Sequence, residues 1–311
     1  MKSIATVVSA ILFILSGNIY SQGRYDAARV FKSGHSRTKH ETSVEFGPYI
    51  GAINYTGELT KNIFPVLKET RPALGIAIKF NLNTMVTFKT TALYGQIGGT
   101  DQNFSSDDFR ARRNLSFRSN MIEVSGQFEY NLGGFRQTSN FFSSCPYLFA
   151  GASFFRHNPQ AYFQYNPAIH EPNLQKFDGE WINLQPLATE GQEATKFNDR
   201  KRYKLAQISI PFGVGYKMAL SEQWGWAVEF GLRKTFTDYL DDISIDYVND
   251  QIVGGQSTNL GIALKDRAPE VGKPKFEPGE ARGNPNTKDW YMILGFTLTY
   301  RIITSEGCFH F

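Results

Sequence analysis

The fold class the sequence predicts is an all-β, eight-stranded antiparallel transmembrane β-barrel with long extracellular loops, and three observations predict it. Segments of about ten residues alternate apolar side chains with small, polar or charged ones, as strands between lipid and a polar lumen must. Long and short connections alternate between these segments. Aromatic residues make up 14% of the 311-residue chain, yet beyond its first residues no run approaches the roughly 20 apolar residues of a membrane-spanning helix.

The clearest strand runs from Leu205 to Lys217. Ala206, Ile208, Ile210, Phe212, Val214 and Tyr216 share one face, and Gln207, Ser209, Pro211, Gly213, Gly215 and Lys217 the other. Trp224 to Lys234 repeats the pattern after a short turn, so the two read as a hairpin. Pro72 to Leu82, Met85 to Gly95 and a segment starting near Ser116 alternate likewise, while Val44 to Asn54 and Trp290 to Ile302 supply the first and last strands. Tyr147 to Arg156 is a strand whose faces the pattern leaves unassigned, because Leu148, Phe149, Phe154 and Phe155 make both sides apolar.

Eight strands place both termini on the periplasmic side, where barrel turns are short. The second, fourth and sixth connections, Asn83 to Thr84, Asn131 to Cys145 and Ala219 to Gln223, then face the periplasm. The first, third, fifth and seventh face outward: Tyr55 to Thr70, Gly98 to Leu115, His157 to Lys204 and Asp238 to Asp289. A soluble β-sandwich is the alternative, since alternation alone says only that one face is buried. By this parity an epitope near Glu190 or Gly255 is expected outside the cell and one near Glu222 inside. Ile210→Arg is expected to hinder insertion, and Ser209→Arg to meet a tolerant polar lumen.

Residues 1–21 read as a secretory signal: Lys2, an apolar run from Ile4 to Leu15, then Ser16, Gly17 and Ser21 before a cut at Gln22. The run is too short to remain as a helical anchor. The expected division is then a periplasmic segment at 22–42, the barrel at 43–303 and a periplasmic tail at 304–311. A formal charge of +4, or +3 without Lys2, gives no field that implies nucleic acid.

The inward set includes Glu45, Lys79, Lys89, Glu123, Glu129, Lys217, Glu229 and Arg233. An eight-stranded lumen is about wide enough to be filled by side chains, so these charges are expected to pair in a lumen ionic network; the alternative is a permeation path. Inward glycines such as Gly213, Gly215, Gly225 and Gly231 are expected to leave room for the long charged chains.

No catalytic, cofactor-binding or metal constellation emerges. His35, His40, His157, His170 and His310 are scattered and read as surface residues. Asp238, Asp241, Asp242, Asp246 and Asp250 read as solvated loop acids, with a hard divalent cation as the alternative. Arg110, Arg112, Arg113 and Arg118 read as a solvated cluster, with lipopolysaccharide phosphates as the alternative contact. Parity sends Cys145 and Cys308 to the periplasm, where an internal disulfide, a bond to a partner and free thiols all stay open.

Several segments together resemble one family. The stretch Val44 to Glu58 looks like its first strand and loop, and Leu184-Gln185-Pro186-Leu187-Ala188-Thr189-Glu190-Gly191-Gln192 and Gln207 to Gly215 are more specific. Arg233 to Asp242, Asp246-Tyr247-Val248 and Asp289-Trp290-Tyr291 complete the set. These are similar to the PorG-type outer-membrane barrels of the Bacteroidetes type IX secretion system. The resemblance implies a non-enzymatic protein without cofactor, set in outer-membrane lipid and contacting the periplasmic ring of PorK-type lipoprotein and PorN-type protein. Protein export and, in gliding relatives, gliding motility depend on that machine. The other readings are a general structural or adhesive barrel and a lipid-modifying barrel enzyme.

Overall fold

Among the described residues ten strands form in chain order, and eight of them are barrel staves. The computed structural model describes residues 43–303 apart from 58, 60–68, 105–107, 138–142, 195, 198 and 254–257. The staves are β1 (Ser43–Thr56), β2 (Arg71–Asn81), β3 (Val86–Thr100), β4 (Ser116–Asn131), β5 (Ser144–Arg156), β8 (Ala206–Ala219), β9 (Trp224–Thr235) and β10 (Trp290–Ile303). Each pairs antiparallel with its neighbours, and β1 against β10 and β3 against β4 complete the ring. Closure is what lipid demands, because an open edge would leave backbone N–H and C=O groups without partners.

Where the ring closes, β1 and β10 run together over their whole length with matched side-chain faces: Val44 opposes Ile302, and Thr56 opposes Trp290. Outward, Leu74, Ile208 and Phe128 are 58–60% exposed, while inward Lys89 and Glu129 are fully buried. A soluble fold has the opposite polarity, with charge outside and leucine inside. The sandwich alternative therefore falls. The ambiguous strand is β5, which turns Tyr147, Phe149 and Phe155 into the lumen and leaves Leu148 and Phe154 facing lipid.

The connections differ more from expectation. The third begins only after Thr100, because β3 and β4 stay paired as far as Thr100 and Ser116. The fifth is not a plain loop: β6 (Pro159–Tyr162) pairs with the outer end of β4, and β7 (Trp181–Asn183) pairs with β6. Helix α1 (Asp108–Arg113) lies in the third connection and α2 (Thr258–Lys265) in the seventh. Among the described residues no helix is long and apolar enough to cross a membrane. The signal and N-terminal segments, Gly255 and the C-terminal tail lie outside the described residues.

Ser209 is not the tolerant site expected of a polar lumen. It is buried, with its Oγ 2.5 Å from Ser153 Oγ and 3.2 Å from the Tyr291 hydroxyl, so a long side chain there would be overpacked. The lipid face is better tested at one position. Ile210→Arg places a cation against lipid in the outer part of β8, level with Lys234, at a cost that reaches roughly 2–4 kcal/mol at the midplane and falls towards the interface, whereas Ile210→Leu changes only shape. Refolding into phospholipid vesicles, read by heat-modifiable electrophoretic migration, is expected to show a severalfold loss of folded protein for Ile210→Arg and none for Ile210→Leu. Equal yields would mean that Ile210 does not face lipid.

Candidate functional site

The lumen is built from strand parity: alternate residues of every stave point inward, and among the described residues nine of them are charged and buried. The eight read from the alternation, Lys79, Lys89, Lys217 and Arg233 against Glu45, Glu123, Glu129 and Glu229, are joined by Arg301 of β10, which opposes Glu45 in register. Lys79 and Lys89 are direct cross-strand neighbours, an arrangement that repels. Two carboxylates resolve it, one from the adjoining stave β4 and one from β9. Glu129 lies 2.6 Å from Lys217 Nζ, 3.4 Å from Lys79 Nζ and 3.6 Å from Lys89 Nζ. Lys89 also pairs with Glu229, which accepts hydrogen bonds from the hydroxyls of Tyr49 (3.2 Å) and Tyr147 (2.9 Å). Towards the outer end Arg233 stands 3.6 Å from Glu123, and Tyr291 donates to the same carboxylate. Glu45 neighbours Lys79 in register and accepts from Asn81 (2.6 Å) and Thr299 (2.8 Å).

The aromatic residues that obscured the faces of β5 have a role here. Lys89 sits 4.8 Å above the Phe149 ring, and Lys217 4.8 Å above Tyr147, so ring faces partly replace water around the ammoniums. The inward glycines make room chiefly for these rings. A Cβ on Gly215 would lie 2.3 Å from Tyr147 Cζ, and one on Gly295 2.0 Å from the Tyr49 hydroxyl. Gly231 would press on both Phe149 and the Arg233 guanidinium, while Gly225 relieves no close contact.

Above the charges the lumen turns apolar. Ile53, Tyr55, Ile97, Phe117, Phe155 and Ile293 form one buried cluster with Leu59 of the first connection and Leu240 and Ile243 of the seventh. The outer loops thus enter the mouth and close it, and the geometry is a plug instead of a permeation path.

A second ionic layer holds those loops. Glu190 accepts from Ser244 N (2.9 Å), Ile245 N and Arg282 Nη1 (3.0 Å). Arg282 also bonds the Asp242 carbonyl and lies 3.7 Å from its carboxylate, which accepts from Thr189 Oγ1 (2.5 Å) and the Tyr203 hydroxyl (2.6 Å). Arg113 grips Asp101 with two bonds of 2.7 and 2.8 Å and donates a third to the Arg282 carbonyl. The Tyr55 hydroxyl, rising from β1, lies 2.7 Å from an Asp241 oxygen and 2.9 Å from an Asp289 oxygen and shares its one hydrogen between them. Ala188 and Asp242 adopt left-handed φ of 51° and 68°, a strained conformation that their fixed partners sustain. Burial pushes the Asp242 carboxyl up to about 6 against the opposing pull of Arg282.

Several sequence-based expectations are corrected. Asp238, Asp241 and Asp242 are buried and hydrogen-bonded, not solvated; Asp246 pairs with Arg200, and Asp250 with Lys265 and Lys275. The described residues contain no group of three metal-ligating side chains. Arg110 and Arg113 are buried, and Arg112 stacks 3.8 Å over Phe276, so the four arginines form no solvated cluster. His157 is not at the surface: burial beside Phe155 and Tyr203 lowers it to about 4. His35, His40 and His310 lie outside the described residues. Cys145 is a buried thiol against the carbonyls of Leu132 and Pro146, and Cys308 lies outside the described residues. Glu190, Arg282, Asp101 and Tyr203 escape periodicity, since loop residues have no repeat to reveal burial.

Fold and lumen together define a small transmembrane barrel, plugged inside and capped outside. Residues 30–177, just under half of the chain, match a family described as a domain of unknown function, DUF6089. No curated protein matches. Among solved structures, the chain is similar to the N-terminal β-barrel domain of Pseudomonas aeruginosa OprF, at 11% identity and TM-score 0.34 over 85% of this chain and 100% of that one. Ail, the attachment invasion locus protein of Yersinia pestis, matches at 8% and 0.35 over 85% and 99%; OprG from Pseudomonas aeruginosa matches at 9% and 0.34 over 85% and 97%. At that level the likeness is one of outline, and the barrel stands on its own register.

Removing one guanidinium should separate cap from barrel. Arg282→Met leaves Glu190 and Asp242 buried without their cation, a loss of about 3–5 kcal/mol confined to the loops. Limited proteolysis is expected to cut the outer connections of this variant at least tenfold faster than wild type, with the heat-modifiable barrel band retained. Unchanged loop protection would show that Arg282 does not hold the cap.

Proposed function

We propose that the chain is a non-enzymatic barrel of the cell outer membrane, exported by the signal in residues 1–21, and a component of type IX protein secretion that contacts a periplasmic ring of PorK-type lipoprotein and PorN-type protein. The observation that carries this reading is the meeting of its two most distinctive segments. Thr189 and Glu190, from Leu184 to Gln192, engage Asp242, Ser244 and Ile245 at and just beyond the end of Arg233 to Asp242. The resemblance therefore falls on residues that build one cap, as a shared fold would require. The filled lumen and sealed acids suit a rigid anchor. The second reading, a structural or adhesive barrel, is favoured by the size and order of the outer loops.

The test has two arms. Detergent extraction and pull-down should recover the ring proteins, and a deletion strain should lose export; normal export with no ring component recovered would remove the secretion role. Sidedness is read separately. Glu190 is buried and unsuitable for an epitope, so the tag belongs at exposed Ile169. Intact cells should be labelled there and not at Glu222, and labelling at Glu222 alone would invert the barrel.

A further inference from the structure

The lipid-facing columns do not end alike at the outer mouth. Arg118 stands near the start of β4, Arg156 ends β5, Lys204 lies two residues before β8, Lys234 is the last outward residue of β9, and Arg71, which begins β2 in the inward register opposite Ile53, turns its guanidinium to Gln96 on the outward face. Phe154 and Ile122, 56% exposed, and Ile208, 59% exposed, lie beside or one step below them on the same face. Of these five cations Arg118, Arg156 and Lys204 mark the rim of the apolar band, and Lys234 sits lower, level with Ile210 and with exposed Phe236 beyond it. At about 4.8 Å per strand they cover roughly 25 Å of circumference. The arc is interrupted at β10, where Lys288 is bonded to the Pro285 carbonyl, and β1 ends in uncharged Asn54 and Thr56.

These cations are short of counter-charge. Among the described residues none of the five forms an ion pair, and every Asp or Glu within these staves faces the lumen. Among the described residues their partners are neutral. Arg71 donates to Gln96 (2.5 Å), which donates to Asn120 (2.7 Å), and Arg118 donates to Gln160 (3.1 Å) while lying 3.7 Å above the Trp181 ring. Arg71 and Arg118 also approach each other. Gly98 opposes Arg118 in register, and a Cβ on Gly98 would sit 3.1 Å from Arg71 Nη2. Two neighbouring guanidiniums, each tied to its own amide side chain at the edge of an apolar surface, match a phosphate whose acyl chains lie along that surface.

We propose that this collar binds the phosphorylated saccharolipid of the outer leaflet, its phosphates on Arg71, Arg118 and Arg156 and its sugars against the amides and Trp181. A head group with more than one phosphate fits cations spread over several strands better than a single phosphodiester does. The inference rests on the outer-membrane reading above, but not on the secretion role.

The test uses the purified full chain in nanodiscs of phosphatidylcholine containing bisphosphorylated lipid A, its dephosphorylated form or phosphatidylglycerol, each at equal mole fraction. Lipid retained through detergent exchange is quantified by mass spectrometry. The expected result is at least about tenfold enrichment of bisphosphorylated lipid A over both others, as one or two charge-assisted hydrogen bonds supply. Arg118→Gln with Arg156→Gln should abolish it, Arg156→Lys should keep most of it, and Lys176→Gln with Lys273→Gln should change nothing. If the arginine variant does not fold by electrophoretic migration, Lys204→Gln with Lys234→Gln takes its place, with a partial loss expected. Equal retention of the phosphorylated and dephosphorylated forms, equal retention of phosphatidylglycerol, or an equal loss in the loop-lysine control would each overturn the proposal. Normal export in the deletion strain would remove the secretion role and leave this result standing.

Discussion

Glu129 is the residue on which the lumen depends, because three ammonium groups converge on its carboxylate: Lys217, Lys79 and Lys89. Lipid forces the sheet to close, and closure at eight staves leaves a lumen too narrow for bulk water. Charges placed there need partners from the opposite wall. Glu229 supports the same lysines with two tyrosine hydroxyls behind it, and glycines on β8, β9 and β10 give the rings the space they occupy. The barrel is held from within as well as by its ladder.

The cap follows from the plug. With the lumen filled to the level of Tyr291 and Phe155, the loops meet an apolar floor, and Leu240 and Ile243 bury themselves on it. That descent carries the acids of the seventh connection out of water. Arg282 and Arg113 are the cations that make the burial tolerable, and Tyr55 ties the acids back to a stave. The described parts of the outer loops are thereby tied to the staves.

How far the sequence reaches can be read from particular residues. Period-two alternation is a direct image of the lipid–lumen division, so it marks Ile208 and Leu74 as outward and the eight lumen charges as inward, where the structure places them. It fails at β5, because Phe149 and Phe155 are apolar on the polar side; they serve as ring faces for cations and as the apolar ceiling. It is silent about the loops, where burial comes from tertiary contact: Asp242, Arg113 and His157 look like solvated residues and are not. Only the likeness of the Leu184–Gln192 segment to a known family marks that stretch as structured, and it does not show that Glu190 meets Arg282.

The central claim is that the lumen network, with Glu129 at its centre, stabilises the barrel. It is tested most directly by urea unfolding in phospholipid vesicles of wild type, Glu129→Gln, Lys217→Met and the double variant. The account predicts a loss of about 3–5 kcal/mol for Glu129→Gln, since three cations lose their shared partner, and a double variant less destabilised than the two single losses added together. Glu129→Gln unfolding with the wild-type midpoint, or strictly additive losses, would contradict it.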